Sequence, residues 1–237
     1  DLHSFPTRRS SDLWSLGQVI SIISGKGGTG KSFFAANMGA LLAMNGKSVV
    51  LIDMDMGMRS LDIYMGLENR IVYNIMDVLS GMCRIKQAMI KDKRFKSLYL
   101  MSAAPPRDHR DITGMHMKVL CDKLKDDYDY IIIDGPTGVD EGLDLAAGPS
   151  DVAVIITEPE AASIRDADIV DRQLSKMGVK KRYCVVNKVK AELMAMGAVP
   201  SLRDITDGLR IKMAGFIQYD DNMLAPKIGR ASCRERV

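Results

Sequence analysis

The stretch IISGKGGTGKS, Ile22–Ser32, decides the fold. Within it, Gly25-Lys26-Gly27-Gly28-Thr29-Gly30-Lys31-Ser32 satisfies G-x-x-x-x-G-K-[ST], the pattern of a loop that cradles phosphates. The context is the one this loop requires. QVISII (18–23) is a short β-branched run, and residues 31–44 read as an amphipathic helix with Phe34, Met38, Leu41 and Leu42 on one face. The glycines let backbone N–H groups turn inward around phosphate oxygens, and the helix N-terminus adds partial positive charge. Lys31 is expected to reach the β- and γ-phosphates, Ser32 to ligate Mg²⁺, and the contacts to run from Gly25 to Phe33. One residue is surplus to this chemistry. Lys26 is a second lysine inside the loop, and the local pattern alone leaves it either solvated or functional.

Two acidic positions stand where such a site needs them. Asp134 ends the apolar run YIIID, the place of an aspartate that holds Mg²⁺ through water. Asp53 and Asp55 end the second strand in LIDMDMG at a carboxyl edge, where ligand sites of α/β sheets form. Alternation along an extended chain would place both on one side, facing the phosphates.

Further runs of the same kind follow at 128–136, 151–157, 181–187 and 211–217, with helical patterns at 113–126 and 161–176. Nearly continuous apolar strands alternating with helices imply a doubly wound, mostly parallel sheet with helices on both faces. Seventeen methionines, among them Met38, Met44, Met76 and Met177, read as core filling.

The 237 residues, 46% hydrophobic, suffice for one substantial core. Residues 1–16 and 229–237 lack apolar periodicity and look foreign to the single domain expected over 17–228. The net charge of +3 is mostly tail: residues 1–13 sum to zero and 229–237 carry +2, leaving +1 for the middle. That balance gives no support for a nucleic-acid surface. Four scattered cysteines without CxxC spacing read as thiols in a reducing cytosol, not as a disulfide frame or metal site.

SGKGGTGKS, VVLIDMDMGMRSLDIYMGLENRIVYNIMDVL, QAMIKDKRFKSLYL, YDYIIIDGPTGVDEG and EPEAASIRDAD together resemble the deviant Walker A (ParA/MinD) class of P-loop ATPases. GLENRIVY and IKDKR point to its MinD branch over about residues 18–225. The resemblance implies an ATPase using ATP/ADP and Mg²⁺ that dimerises when ATP is bound and resets on hydrolysis, positioning the division septum. It makes Lys26 the signature lysine that crosses to the partner's phosphates. It gives Asp55 the attacking water, Asp53 support of Mg²⁺, Asn187 the adenine, and DGPTG (134–138) the switch II region, departing from the usual form at Gly135 and Thr137. It also implies a division inhibitor and an ATPase-activating topological factor as partners. A cytoplasmic protein peripheral on the inner membrane follows, through a C-terminal amphipathic helix that PKIGRASCRERV does not resemble. The alternatives are a ParA-like DNA-partitioning ATPase and an iron–sulfur carrier on the same fold, the latter poorly served by Cys121 and Cys184.

Overall fold

Alternation along the strands sorts the apolar side chains onto two faces, and that sorting builds the domain. The computed structural model describes residues 17–56, 60–104, 112–139 and 142–220. In chain order, β1 (Gln18–Ser24) runs into the loop and α1 (Lys31–Met44), then β2 (Val49–Asp53), α2 (Ser60–Met65), α3 (Ile75–Leu79) and α4 (Ile85–Ala88). Next come β3 (Met89–Lys91), β4 (Leu98–Met101), α5 (Gly114–Lys125), β5 (Tyr130–Thr137), α6 (Gly142–Ala147) and β6 (Val152–Thr157). α7 (Ala161–Lys176), β7 (Lys181–Val189), α8 (Ala191–Ala195), α9 (Leu202–Gly208) and β8 (Lys212–Gln218) complete the described chain.

The described strands form one sheet in the order β3-β4-β2-β5-β1-β6-β7-β8. Every pairing is parallel except the antiparallel β3–β4 edge, so the sheet is doubly wound and mostly parallel, as the sequence implies. Val49, Leu51 and Ile132 point to one face, against Ala35, Ala36 and Ala40 of α1 and Leu61 of α2. Val50, Ile52, Ile131 and Ile133 point to the other, against Met117 and Leu120 of α5, Leu143 of α6 and Val170 and Leu174 of α7. β1 lies between β5 and β6, the strands on which the chain changes direction, so its carboxyl end opens at the topological switch point. In register, Ile22 pairs with Asp134 and Asp134 with Asp53, which brings three candidate elements to one edge.

Two expectations change. The buried face of α1 is Ala35, Ala36, Gly39 and Ala40, while Leu41 is 49% and Met44 57% exposed. Small residues let this helix lie close on the sheet, and the larger Phe34, Met38 and Leu42 pack at its flank. Met44 is therefore not core. β3 and β4, only three and four residues long, carry too short an apolar run to be read as strands. The foreign-looking tails, and PKIGRASCRERV with them, lie outside the described residues. Among the described residues no helix is long and apolar enough to cross a membrane.

Candidate functional site

The loop is held open from beneath by its own carbonyls. Asn187 Nδ2 donates to the Thr29 carbonyl at 2.8 Å, and Lys188 Nζ donates to the Gly28 carbonyl at 2.7 Å. Ser24 Oγ donates to the Lys26 carbonyl at 2.8 Å. With carbonyls turned toward β1 and β7, the neighbouring N–H groups are left to face a ligand. Gly30 closes the loop at φ +91, a left-handed backbone where an added Cβ would lie 2.5 Å from Asn187 Nδ2. α1 then starts without an acidic residue in its first turn and without a side-chain cap, leaving its positive end uncompensated.

Gly25 serves a different need, close approach. A Cβ there would stand 2.5 Å from the Asp166 Cβ and 2.6 Å from its carbonyl carbon and oxygen, and that backbone belongs to α7 and cannot yield. Gly25→Ala is therefore expected to push the loop off α7 and weaken ATP binding at least about tenfold, measured by titration calorimetry. Unchanged affinity would show that the loop docks elsewhere.

The acidic wall comes next. Asp134 is fully buried, and neither of its oxygens closes a hydrogen bond among the described residues. Burial pushes its carboxyl up to about 7 and Asp55 adds to the rise, while the nearby Ser32 hydroxyl and Lys31 ammonium pull it down. Asp53 is held well above the usual carboxylate range by burial and then by the charge of Asp134. It accepts from the backbone N–H of Asp55 at 2.9 Å and of Leu61 at 3.3 Å. These bonds correct the alternation argument. β2 ends at Asp53, the chain turns, and Asp53 holds Asp55 in place instead of standing beside it on an extended strand. Asp55 remains half-buried and close enough for its charge to act on both other carboxyls.

Lys31 is buried and donates to Thr137 Oγ1 at 2.9 Å, so the threonine that departs from the family pattern is the resting partner of the loop lysine. Lys26 lies at the surface, paired with Glu160 at 2.6 Å, with side chains 39% and 52% exposed. Lys188 takes a left-handed φ of 57, which turns its ammonium back over the loop to Gly28 and to Glu158 at 2.6 Å. Asn187, expected to read adenine, is buried here with its amide committed to the loop and its Oδ1 accepting from the Lys188 N–H. Beside these residues lies a hollow of about 310 Å³ lined by Glu158, Lys190, Leu193, Val199 and Tyr219, with Lys190 Nζ 4.1 Å from the Tyr219 ring centre. Sequence reading missed Thr137, Glu158, Glu160 and Lys188 as site residues. The two glutamates were signalled by the family-like EPEAASIRDAD segment and Thr137 by its place in DGPTG, whereas Lys188 had no signal beyond its place next to Asn187.

Comparison with known proteins supplies the family. A family model described as an AAA domain matches residues 17–182. The septum site-determining protein MinD of Bacillus subtilis (strain 168) is 40% identical over 211 residues, 88% of this chain and 79% of that protein. The chain belongs to the MinD family. Among solved MinD structures, the MinC:MinD cell division protein complex of Aquifex aeolicus superposes with a TM-score of 0.81 at 41% identity. The match covers 87% of this chain and 83% of that one. MinD from Pyrococcus horikoshii, complexed with Mg-ADP, gives a TM-score of 0.77 at 26% identity over 86% and 82% of the two chains.

The residues fit the magnesium nucleotide of a MinD protein. Asp134 offers two buried oxygens without a partner, Thr29 Oγ1 is likewise buried and unpartnered, and the first turn of α1 carries no acid to repel phosphate. Among the described residues no group of three His, Cys, Asp or Glu side chains could hold a metal alone. A divalent ion here would draw its remaining ligands from Ser32, water and the phosphates, as Mg²⁺ commonly does.

Proposed function

We propose that this chain is a magnesium-dependent ATP hydrolase of the MinD family that acts as a nucleotide-gated switch in placing the division septum. The observation that carries this reading is the pairing of the Lys31 loop with the buried, unpartnered Asp134 across β1 and β5, in a chain 40% identical to a septum site-determining MinD. Bound, Mg²⁺ neutralises charge on the β- and γ-phosphates. The protein does the rest. Backbone N–H groups of Gly25 to Phe33 grip the phosphates, Lys31 leaves Thr137 for them, and Ser32, Asp134 and Asp53 hold the ion. Asp55 orients the attacking water. Asn187, by keeping the loop at β7, positions the wall against which the base would rest, beside Leu193, Val199 and Tyr219.

Lys26 stands apart in this scheme. Its partner in the single chain is an exposed glutamate, an ion pair that solvent screens and that is readily exchanged for a phosphate. ATP would bring two chains face to face so that each Lys26 reaches the other's phosphates, making the dimer conditional on the γ-phosphate. The dimer would recruit a division inhibitor to the inner face of the cell membrane, and a topological factor would stimulate hydrolysis and release it. A DNA-partitioning role has less support, given the near-neutral +1 charge of the middle of the chain. An iron–sulfur role has less still, since burial pushes the Cys121 and Cys184 thiols up to about 12, away from the thiolate that iron requires.

The test is direct. With Mg²⁺, ATP should convert monomer to dimer in light scattering and release phosphate slowly, whereas ADP should do neither. No change of mass with ATP would end the switch reading.

A further inference from the structure

On the opposite face of the sheet from α1, a cavity of about 480 Å³ opens between α5 and the turn that joins α3 to α4. Val78, Leu79, Ile85 and Leu120 contribute its floor. Met115 and Val119, one helical turn apart on α5, form an outer wall and stand 66% and 47% exposed, and Met82 in the facing turn is 72% exposed. Large apolar side chains gathered this way around a hollow mark an interaction surface more often than scattered ones do. Arg84 and Lys123 flank the hollow, both exposed, and among the described residues no carboxylate lines it. Neither cation meets an acid among the described residues, since the nearby Asp122 faces Lys125 and Asp77 caps α3.

We propose that this groove docks an acidic amphipathic helix of a partner protein, with apolar side chains in the hollow and carboxylates on Arg84 and Lys123. The charge decides the partner. Covering Met115 and Val119 strips water from the two flanking cations, which costs free energy unless the covering surface carries carboxylates to pair with them. The walls decide the shape. They are helix and turn side chains with no strand edge between them, so a visitor engages by side chains at i, i+3, i+4 and i+7 and not by adding a strand. A lipid bilayer fits less well, because the apolar floor is recessed and a flat surface cannot reach it. The site is separate from the phosphate loop, so its failure would leave the ATPase reading untouched.

Cys83 lines the hollow half-buried, while Cys121 and Cys184 are buried, so in a Cys233→Ser chain alkylation of Cys83 reports on the groove. The probes are synthetic helical peptides of about 14 residues with Leu, Ile or Phe on one face and Glu on the flanks, the same peptides with Lys for Glu, and phosphatidylglycerol vesicles. The Glu peptides should slow Cys83 alkylation and bind, by fluorescence anisotropy, at least about tenfold tighter than the Lys peptides. Arg84→Glu with Lys123→Glu should reverse that preference. Val119→Asp should abolish binding while ATP affinity stays unchanged. Equal binding of both peptide charges, or no protection of Cys83 by any Glu peptide, would overturn the proposal. So would vesicle pelleting that depends on Arg84 and Lys123, which would assign the groove to lipid.

Discussion

Lys26→Ala is expected to cut ATP turnover about 10³-fold or more and to abolish the ATP-dependent dimer while leaving ATP binding by the single chain nearly unchanged. The magnitude is that of losing a cation supplied in trans to a transferring phosphoryl group. The separation of effects follows from where the side chain sits. Lys31 is buried at the base of the loop, whereas Lys26 is exposed and held in its own chain only by Glu160. Its pKa is raised chiefly by that bond, so it stays charged at any physiological pH and is available to a second molecule. Calorimetry with ATP and light scattering on the same variant separate binding from assembly. A large loss of ATP affinity would instead place Lys26 in the nucleotide site of its own chain.

Asp134→Asn should abolish hydrolysis and yet stabilise the nucleotide-free protein at pH 8. Burial raises the Asp134 carboxyl from an ordinary 3.8 to about 7. A group whose folded pKa lies above its unfolded value holds its proton more tightly in the folded state. Relative to a neutral side chain its contribution is therefore nil below about pH 4, turns unfavourable as pH rises toward 7, and stays unfavourable beyond. At most this is about 4 kcal/mol at neutral pH. Asparagine fills the same space without a charge, so the variant should unfold several degrees higher than the parent at pH 8, with the gap closing toward pH 4. Adding Mg²⁺ and ATP should reverse the order, because only the parent retains the carboxylate that the ion pairs with. A variant that melts below the parent at pH 8 without nucleotide would show that Asp134 is paired in the folded state.

How much of this could be read from sequence depends on distance along the chain. The β-branched runs at 18–23, 151–157 and 181–187 fall on β1, β6 and β7, and the helical pattern at 161–176 on α7, because each carries its period within itself. The loop lysine and the strand-end aspartate were legible for the same reason. The contacts that tie the site together were not. Lys31 to Thr137 spans 106 residues, Lys26 to Glu160 spans 134, and Lys188 to Gly28 spans 160, and no local pattern records which partner topology will supply. The alternation argument for Asp55 fails because period two holds only while the strand lasts and β2 stops at Asp53, yet Asp55 still stands beside the other two carboxyls. The buried side of α1 was misread because hydrophobicity favours large residues, whereas a helix that must lie close to a sheet needs small ones.

That close seat makes α1 a lever as well as a cover. Its first residue is Lys31, and its rows of Ala35, Ala36, Gly39 and Ala40 set how high the helix rides above β2 and β5. A methyl group added at Gly39 would stand 2.8 Å from Leu51 Cδ2 and push the helix away from the sheet, changing the height at which Lys31 stands. Packing and chemistry are thus tuned by one dimension, the thickness of the layer between helix and sheet. Variants chosen there for heat resistance would be selected, unintentionally, for a different reach of the catalytic ammonium.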